Sequence, residues 1–284
     1  MLKMKQRLNG PLSILIGALF WSFGGVLGKL IPWNGLSIAA VRGLIAAITI
    51  GIYRHSFKVH WTKPVVLAAL SLTFTTLLYM VANKLTSAAN AIVLQYTSPI
   101  FIIFFAYIFD HKLPKRRDVF ALIGVMLGIS LFFIQQLKGG NLLGDLIALA
   151  SGLTFAGVFF ANRLPNANPM DANYLGNVMS IALLPLIFFD PNFSFNPSLA
   201  WGLIVLMGVV QLGFGYIFFS LGIQHTSATT ASIIATLEPI LNPIWVFLVI
   251  GEMPQPIALL GGLIVLVTVL IYNYLVTQDN YAQK

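Results

Sequence analysis

The chain has 284 residues, of which 58% are hydrophobic and only 8% are charged. A soluble domain carries about 25% charged residues, so this composition excludes a water-soluble protein of this size and predicts an integral membrane protein. The absence of cysteine excludes disulfides, thiolate catalysis and cysteine-ligated metal centres. The net charge of +8 could suggest nucleic acid, but the basic residues lie in short loops beside apolar segments, where they orient a membrane protein. The expected partner is therefore the lipid bilayer, not nucleic acid.

Apolar blocks follow one another along the chain, separated by short breaks rich in proline, glycine, asparagine or charge. Each block is about 20 residues long, as a transmembrane helix requires, and none alternates as a membrane β-strand would. The first block is longer than the apolar part of a secretory signal, and we interpret it as an uncleaved helix. The blocks predict an all-α integral membrane fold with ten transmembrane helices at residues 12–31, 36–53, 64–84, 89–109, 118–135, 142–162, 172–189, 199–221, 228–250 and 257–276.

Lysine and arginine in the loops predict the orientation, because they are retained on the cytoplasmic side. One side receives only Lys29, Lys84 and Lys138, each at a helix end. The other side, with both termini, is expected in the cytoplasm. It receives Lys3, Lys5, Arg7, Arg54, Lys58, Lys63, Lys112, Lys115, Arg116, Arg117 and Arg163.

The sequence repeats itself with an offset of 140 residues. Phe23, Gly25 and Val26 also match residues 155, 157 and 158, at a different offset. The repeat predicts two five-helix units, residues 1–138 and 139–284. The first copy contains Thr86-Ser87-Ala88, Ala91, Pro99 and Leu113-Pro114, and the second contains Thr226-Ser227-Ala228, Ala231, Pro239 and Met253-Pro254.

Because five is an odd number, the second unit is expected to enter the membrane upside down. The loop after predicted helix four is basic, whereas its counterpart contains Glu252 and no lysine or arginine. Inverted repeats are a recurring architecture of secondary transporters, which bind substrate near the membrane midplane between the repeats. The alternative is a duplicated membrane protein that transports nothing.

Five short motifs carry a family resemblance: Trp21 to Gly25, Arg42 within Ala40 to Leu44, LQYTSP from Leu94 to Pro99, Leu237-Glu238-Pro239, and Gly251-Glu252. Together they resemble the drug/metabolite transporter (DMT) superfamily, specifically the ten-helix EamA-type exporters, over the whole chain. The first half departs from the pattern, with Asp110-His111 in place of a Gly-Glu ending.

The resemblance implies two inverted units around a cavity lined by helices one, three, four, six, eight and nine. It also implies that helices five and ten tend to support dimer contacts, so a homodimer is possible. Members mostly export amino acids and other metabolites, while some import, and some carry nucleosides, vitamins or sugars.

Charged residues inside the predicted helices are candidates for function, because they are costly in a membrane. Glu238 precedes Pro239, which frees the carbonyl four residues earlier for polar partners or water. Glu238 either carries a proton during transport or holds the backbone or another helix, and the second interpretation is preferred. Arg42 either anchors an anionic substrate or snorkels or pairs near the membrane surface, and again the second is preferred. Lys29 and Lys84 are interpreted as interfacial anchors, and Asp145 as a favourable charge at a helix N-terminus.

Neutral and aromatic side chains on the expected cavity helices complete the predicted site. They offer aromatic surface with a few hydrogen-bonding groups, as small-molecule sites do, but such residues also serve packing between membrane helices. Glycines 17, 24 and 28 share a face of the first helix with Trp21, and Gly124 and Gly128 form a GxxxG pattern that fits either dimerisation or packing within the fold. The predicted substrate-binding residues are Trp21, Thr76, Tyr79, Asn83, Gln95, Tyr96, Phe155, Phe159, Asn162, Tyr216, Phe219, Glu238 and Asn242.

An enzyme is the main alternative class. Its sequence would be expected to show a metal-binding, nucleotide-binding or nucleophile motif, and none is present. His55, His60, His111 and His225 lie in predicted loops or near a helix end. We therefore predict a secondary carrier of a small polar metabolite in a bacterial inner membrane, without a cofactor or metal. An amino acid and export are the first expectations for substrate and direction. An importer or facilitator of a nucleoside, vitamin, choline-like cation or sugar is the alternative.

Overall fold

The computed structural model describes residues 10–111, 113, 115–136, 141–196, 199–223, 225–226 and 234–282. Within these ranges the helices group into ten segments. They are α1 (Gly10–Ser22 and Gly24–Leu30), α2 (Gly35–Tyr53), α3 (Lys63–Leu85), α4 (Ala88–Gln95 and Ser98–Asp110), α5 (Arg116–Gln136), α6 (Leu142–Asn162), α7 (Pro169–Met179, continued by the 3₁₀ helix Ser180–Phe189), α8 (Leu199–Leu206, the π-helical Met207–Phe214 and Gly215–Ile223), α9 (Leu237–Ile250) and α10 (Pro256–Ala282).

The prediction of a membrane protein built from apolar helices is confirmed. Seven segments, α1 to α4 and α6 to α8, are long and apolar enough to cross a membrane, and the described part of α9 and Leu259–Tyr272 of α10 are shorter apolar helices. Most predicted boundaries agree with the helix ends within three residues, but α10 continues beyond residue 276 to Ala282. Some predicted features lie outside the described residues. They are the start of predicted helix nine, the second-copy residues Ser227, Ala228 and Ala231, and the basic residues Lys3, Lys5, Arg7, Lys112 and Lys138.

Side-chain caps begin five of the described helices after the polar breaks seen in the sequence. The first backbone N–H groups of a helix have no partner within it, and a capping oxygen satisfies one of them. These polar breaks therefore supply the following helix with its cap. The capping residues are Asn34 for α2, Thr62 for α3, Ser87 for α4, Asn141 for α6 and Asn168 for α7.

Contacts between helices repeat when each helix is exchanged for the one five places along the chain. α3 packs against α6 and α7, and α8 packs correspondingly against α1 and α2. α4 packs on α6 as α9 does on α1, while α5 packs on α10 and α2 on α7. The two helices that carry the 140-residue repeat also end alike, since His111 after α4 and Gly251 after α9 both adopt the left-handed conformation. The first five and the last five described segments therefore make corresponding contacts, while the division into two inverted units stays a prediction.

Pro99 interrupts α4. A proline ring clashes with the carbonyl four residues earlier and has no N–H to bond it, and that carbonyl belongs to Gln95. The helix is accordingly broken between Gln95 and Ser98. The carbonyl faces Gly152 of α6, where an added Cβ would lie 2.9 Å from the Gln95 oxygen. The absence of a side chain at Gly152 therefore lets α6 approach the break.

The GxxxG pattern of α5 packs within the chain. A Cβ added at Gly124 would lie 2.5 Å from Oγ1 of Thr268 on α10, and one at Gly128 would lie 2.8 Å from the carbonyl oxygen of Gly261. Small residues let membrane helices approach closely. Of the two sequence interpretations, the structure shows packing between α5 and α10 of one chain.

Candidate functional site

A narrow cavity lies at the centre of the helices, between the two halves of the chain. Its volume is about 40 Å³, which is room for a few water molecules. Five of the described lining residues are apolar or aromatic, four are neutral and polar, one is basic and one is acidic. The lining residues are Trp21, Arg42, Thr75, Thr76, Tyr79, Gln95, Phe155, Gln211, Leu212, Tyr216 and Glu238.

Glu238 reaches the cavity from the start of α9 and meets Tyr96 of α4. The Tyr96 hydroxyl lies 2.8 Å from Oε2 of Glu238 and 3.0 Å from the carbonyl oxygen of Ala235. Ala235 lies four residues before Pro239, so its carbonyl is the one that the proline frees. The expectation that a polar group satisfies this carbonyl is confirmed, and the group belongs to the other half of the chain.

One hydroxyl hydrogen cannot be donated fully to two acceptors. When Glu238 is ionised, Tyr96 can donate to its carboxylate. When Glu238 is protonated, the carboxyl can donate to the Tyr96 oxygen, and Tyr96 can then donate to Ala235. The arrangement therefore has two hydrogen-bonding states that differ by one proton on Glu238.

Arg42 is placed differently from the preferred sequence interpretation. Only 1% of its surface is exposed, so it does not snorkel to a membrane surface but lines the cavity from the middle of α2. Its Nη2 donates to the carbonyl oxygen of Thr76 at 2.9 Å, and its Nη1 lies 3.5 Å from Oε1 of Gln211. The resemblance implies a cavity lined without helix two, but the long side chain of Arg42 still reaches the centre from α2.

Aromatic rings form two walls of the site. The Trp21 ring lies 5.2 Å from that of Tyr216 and 4.8 Å from that of Phe219, between ring centroids. On α6, the Phe155 ring packs edge-on against that of Phe159 at 4.9 Å between ring centroids. Trp21 and Phe155 line the cavity, while the two other phenylalanines support them from behind.

The structure brings most of the predicted site residues to the centre, in two layers. Seven line the cavity: Trp21, Thr76, Tyr79, Gln95, Phe155, Tyr216 and Glu238. Four touch these from behind: Tyr96, Phe159 and Phe219 as described, and Asn242, whose Nδ2 donates to the Tyr79 hydroxyl at 3.0 Å. Asn83 and Asn162 do not line the cavity: Asn83 is fully buried facing Gly28, and Asn162 ends α6.

Sequence reasoning missed Thr75, Gln211 and Leu212 in the lining, besides the position of Arg42. Of these, Gln211 gave the clearest signal in the sequence, because it is an amide within a long apolar segment. It lies in the π-helical stretch Met207–Phe214 of α8. The extra residue in such a turn changes which side chains face a given side, and π-helical turns are frequent at functional sites.

One end of the molecule is held by lysines bonded across helices. Lys29 at the end of α1 pairs with Glu252 at 3.2 Å, and Glu252 also accepts a hydrogen bond from the backbone N–H of Ala88 at 2.8 Å. Lys84 donates to the carbonyl oxygen of Ile31. Both lysines therefore do more than anchor the chain at an interface: they connect α1 to α3, α4 and the loop after α9. A wider cavity of about 400 Å³ lies beside them.

Asp145 joins two helices at the same end. It is fully buried in the first turn of α6, where the helix N-terminus favours its negative charge. It also accepts a hydrogen bond from Oγ1 of Thr86 at 2.6 Å. The opposite end is held by Asp171 at the start of α7, which pairs with Arg54 and lies 2.9 Å from Nδ1 of His60.

Comparison with known proteins identifies the family. The model of the EamA-like transporter family matches the chain twice, at residues 8–134 and 142–274. The chain belongs to the EamA-like transporter family. It is therefore a membrane transporter of the drug/metabolite type, as the sequence motifs predict.

Its relatives are mostly transporters of unstated substrate. An uncharacterized transporter YyaM of Bacillus subtilis (strain 168) is 25% identical, over 96% of this chain and 94% of its own length. The pseudopaline exporter CntI of Pseudomonas aeruginosa (strain UCBPP-PA14) is 27% identical over 63% of each chain. A crystal structure at 16% identity matches 95% of this EamA-like chain with a TM-score of 0.65, which shows the shared fold.

Proposed function

We propose that this EamA-like protein is a secondary carrier that exports a small polar metabolite by alternating access. The observation that carries the proposal is the central cavity, to which both matched halves contribute aromatic and polar side chains. Ten membrane crossings, with the halves of residues 1–138 and 139–284 inverted, would place this cavity near the membrane midplane. The name of CntI supports export, and the basic loops support an inner membrane location with both termini in the cytoplasm.

The cavity volume bears on the mechanism. The cavity of about 40 Å³ holds only a few water molecules, so we expect a substrate to enter when the halves move apart. The substrate then contacts the predicted residues of the cavity wall, and rocking of the halves exposes the site to each side in turn. These residues are Trp21, Thr76, Tyr79, Gln95, Phe155, Tyr216 and Glu238. An amino acid is our first choice of substrate.

Purified full-length protein in proteoliposomes tests the function. We expect counterflow of one chemical class from a panel of amino acids, nucleosides, sugars and choline-like cations. The same class should raise the unfolding temperature of the detergent-solubilised protein, because a ligand of the folded state stabilises it by mass action. Tyr79→Ala should abolish both signals. Counterflow of none of these classes, from protein shown to be folded, would contradict the proposal.

The Lys29–Glu252 pair is expected to close one end of the path. Glu252→Gln removes the ion pair and weakens the bond to Ala88, so it should favour the conformation open at that end. Because the chain contains no cysteine, Thr75→Cys provides a single thiol in the cavity wall. We expect its maleimide labelling to accelerate several-fold in the Glu252→Gln background.

Asp118→Asn is the matched control for this prediction. Asp118 also accepts from a backbone N–H, that of Lys115, and also pairs with a basic side chain, Arg117, but it lies at the start of α5. Its replacement should leave the labelling rate unchanged. An equal labelling rate in wild-type and Glu252→Gln backgrounds would show that this pair does not limit access.

A further inference from the structure

Arg42 is a positive charge in the interior that forms no direct ion pair with a carboxylate of the described residues. It is 1% exposed, and its two bonded partners, the Thr76 carbonyl and the Gln211 amide, are both neutral. Its Nε is buried without a hydrogen-bond partner. Among the ion pairs of the described residues, none includes Arg42, so no carboxylate there lies within 4.0 Å of it.

A buried charge is costly unless it is paired, and Arg42 lines the cavity rather than the packed space between two helices. The 3.5 Å separation from Gln211 is at the limit of a hydrogen bond, so little is lost when that contact is exchanged for a better one. A guanidinium presents its donors in a planar fork that matches a carboxylate with two parallel hydrogen bonds. A ligand carboxylate can therefore supply the direct ion pair that the described residues do not give Arg42.

We infer that Arg42 binds a carboxylate of the transported substrate and so selects carboxylate-bearing molecules, an inference that rests on the proposed transport function. Among the described residues that line the cavity, the only carboxylate is that of Glu238, which approaches from α9 on the other half of the chain. The substrate is thus held with its carboxylate toward α2 and any cationic group toward Glu238 and the aromatic walls.

The balance of charge favours a carboxylate over a phosphate. The described lining contains one cation and one carboxylate, so a ligand with a single negative charge and a positive group meets a complementary charge at each end. A phosphate monoester carries close to two negative charges at neutral pH, and one of them would face Glu238 without a cation.

The inference can be separated from a purely structural role of Arg42. If Arg42 only held α3 and α8 through Thr76 and Gln211, its replacement would lower stability but would not change which ligands bind. A carboxylate anchor, in contrast, must discriminate between ligands that differ only in that group.

The test compares four amino acids, L-leucine, L-phenylalanine, L-threonine and L-glutamine, with their α-carboxamides. Each amide keeps the side chain and the ammonium group but has no negative charge. Counterflow and thermal stabilisation are measured on full-length wild-type protein and on Arg42→Gln and Arg42→Lys. We expect at least one acid to bind the wild type at least tenfold more tightly than its amide. Arg42→Gln should reduce this ratio to about one, and Arg42→Lys, which keeps a charge without the planar fork, should give an intermediate ratio.

Equal affinity for acids and amides in the wild type would overturn the inference, and that comparison decides the substrate class even if the variants do not fold. A folded Arg42→Gln protein that keeps the tenfold preference would overturn the role of Arg42. Counterflow of nucleosides, sugars or choline-like cations without amino acids would leave the proposed function standing and reject the carboxylate. Counterflow of no class would reject the proposed function itself.

Discussion

Glu238→Gln is expected to leave the protein folded and to reduce transport at least tenfold. The glutamine amide can donate to the Tyr96 oxygen while Tyr96 donates to the carbonyl of Ala235, which is the bonding expected when Glu238 is protonated. The carbonyl of Ala235 before Pro239 therefore keeps its hydrogen bond from Tyr96, and only the ability of residue 238 to ionise is lost. Counterflow and net flux in proteoliposomes, together with the unfolding temperature, measure the two effects separately.

Tyr96→Phe is the paired variant for this prediction. It retains the carboxyl group of Glu238 but removes the hydroxyl that, among the described residues, is the side-chain donor to the Ala235 carbonyl. Leaving a buried acceptor unsatisfied costs about 1–3 kcal/mol, so this variant should lose stability where Glu238→Gln does not. Transport by Glu238→Gln at the wild-type rate would show that Glu238 has only the structural role that sequence reasoning preferred.

Gly152→Ala is expected to destabilise the protein, because its Cβ would meet backbone atoms. The added carbon would lie 2.9 Å from the carbonyl oxygen of Gln95 and 3.0 Å from that of Leu94. Neither atom can rotate away as a flexible side chain could, so α6 must move from the break in α4. Such overpacking costs about 1–3 kcal/mol, which the better helix propensity of alanine offsets by about 1 kcal/mol.

Gly202→Ala separates these two contributions. Gly202 also lies within a helix, but a Cβ added there meets nothing within 4 Å. This variant should keep or slightly raise the unfolding temperature, whereas Gly152→Ala should lower it by several degrees relative to Gly202→Ala. Equal unfolding temperatures for the two variants in the same detergent would show that α6 does not pack on the α4 break as closely as described.

Composition and local pattern were sufficient for the membrane class and for most helix positions. With only 8% charged residues the chain requires a lipid bilayer around it. Within the bilayer, each apolar block must form a helix to satisfy the hydrogen-bonding groups of its own backbone. The polar breaks also carry the caps, such as Asn34 and Ser87, so helix starts could be read within a few residues. Likewise, Pro239 implied a carbonyl in need of a partner, because that consequence of proline is local.

The identity of that partner, Tyr96, could not be derived from the sequence, because the two residues lie on different helices and 142 residues separate Tyr96 from Glu238. The same limit applies to Arg42 and Gln211. A hydrophobic pattern gives the side of a helix that faces away from lipid, but it does not tell how far a long side chain extends across the interior or how a π-helical turn redirects its neighbours.

By itself, then, the sequence determined the solvent, the helices, the internal repeat and the family, since these depend on composition, local backbone chemistry and recurring motifs. Only the tertiary structure decided which groups share the central cavity. It places a buried guanidinium on α2 and a carboxylate on α9 around one narrow space, and this depends on how ten helical segments pack together rather than on any one of them.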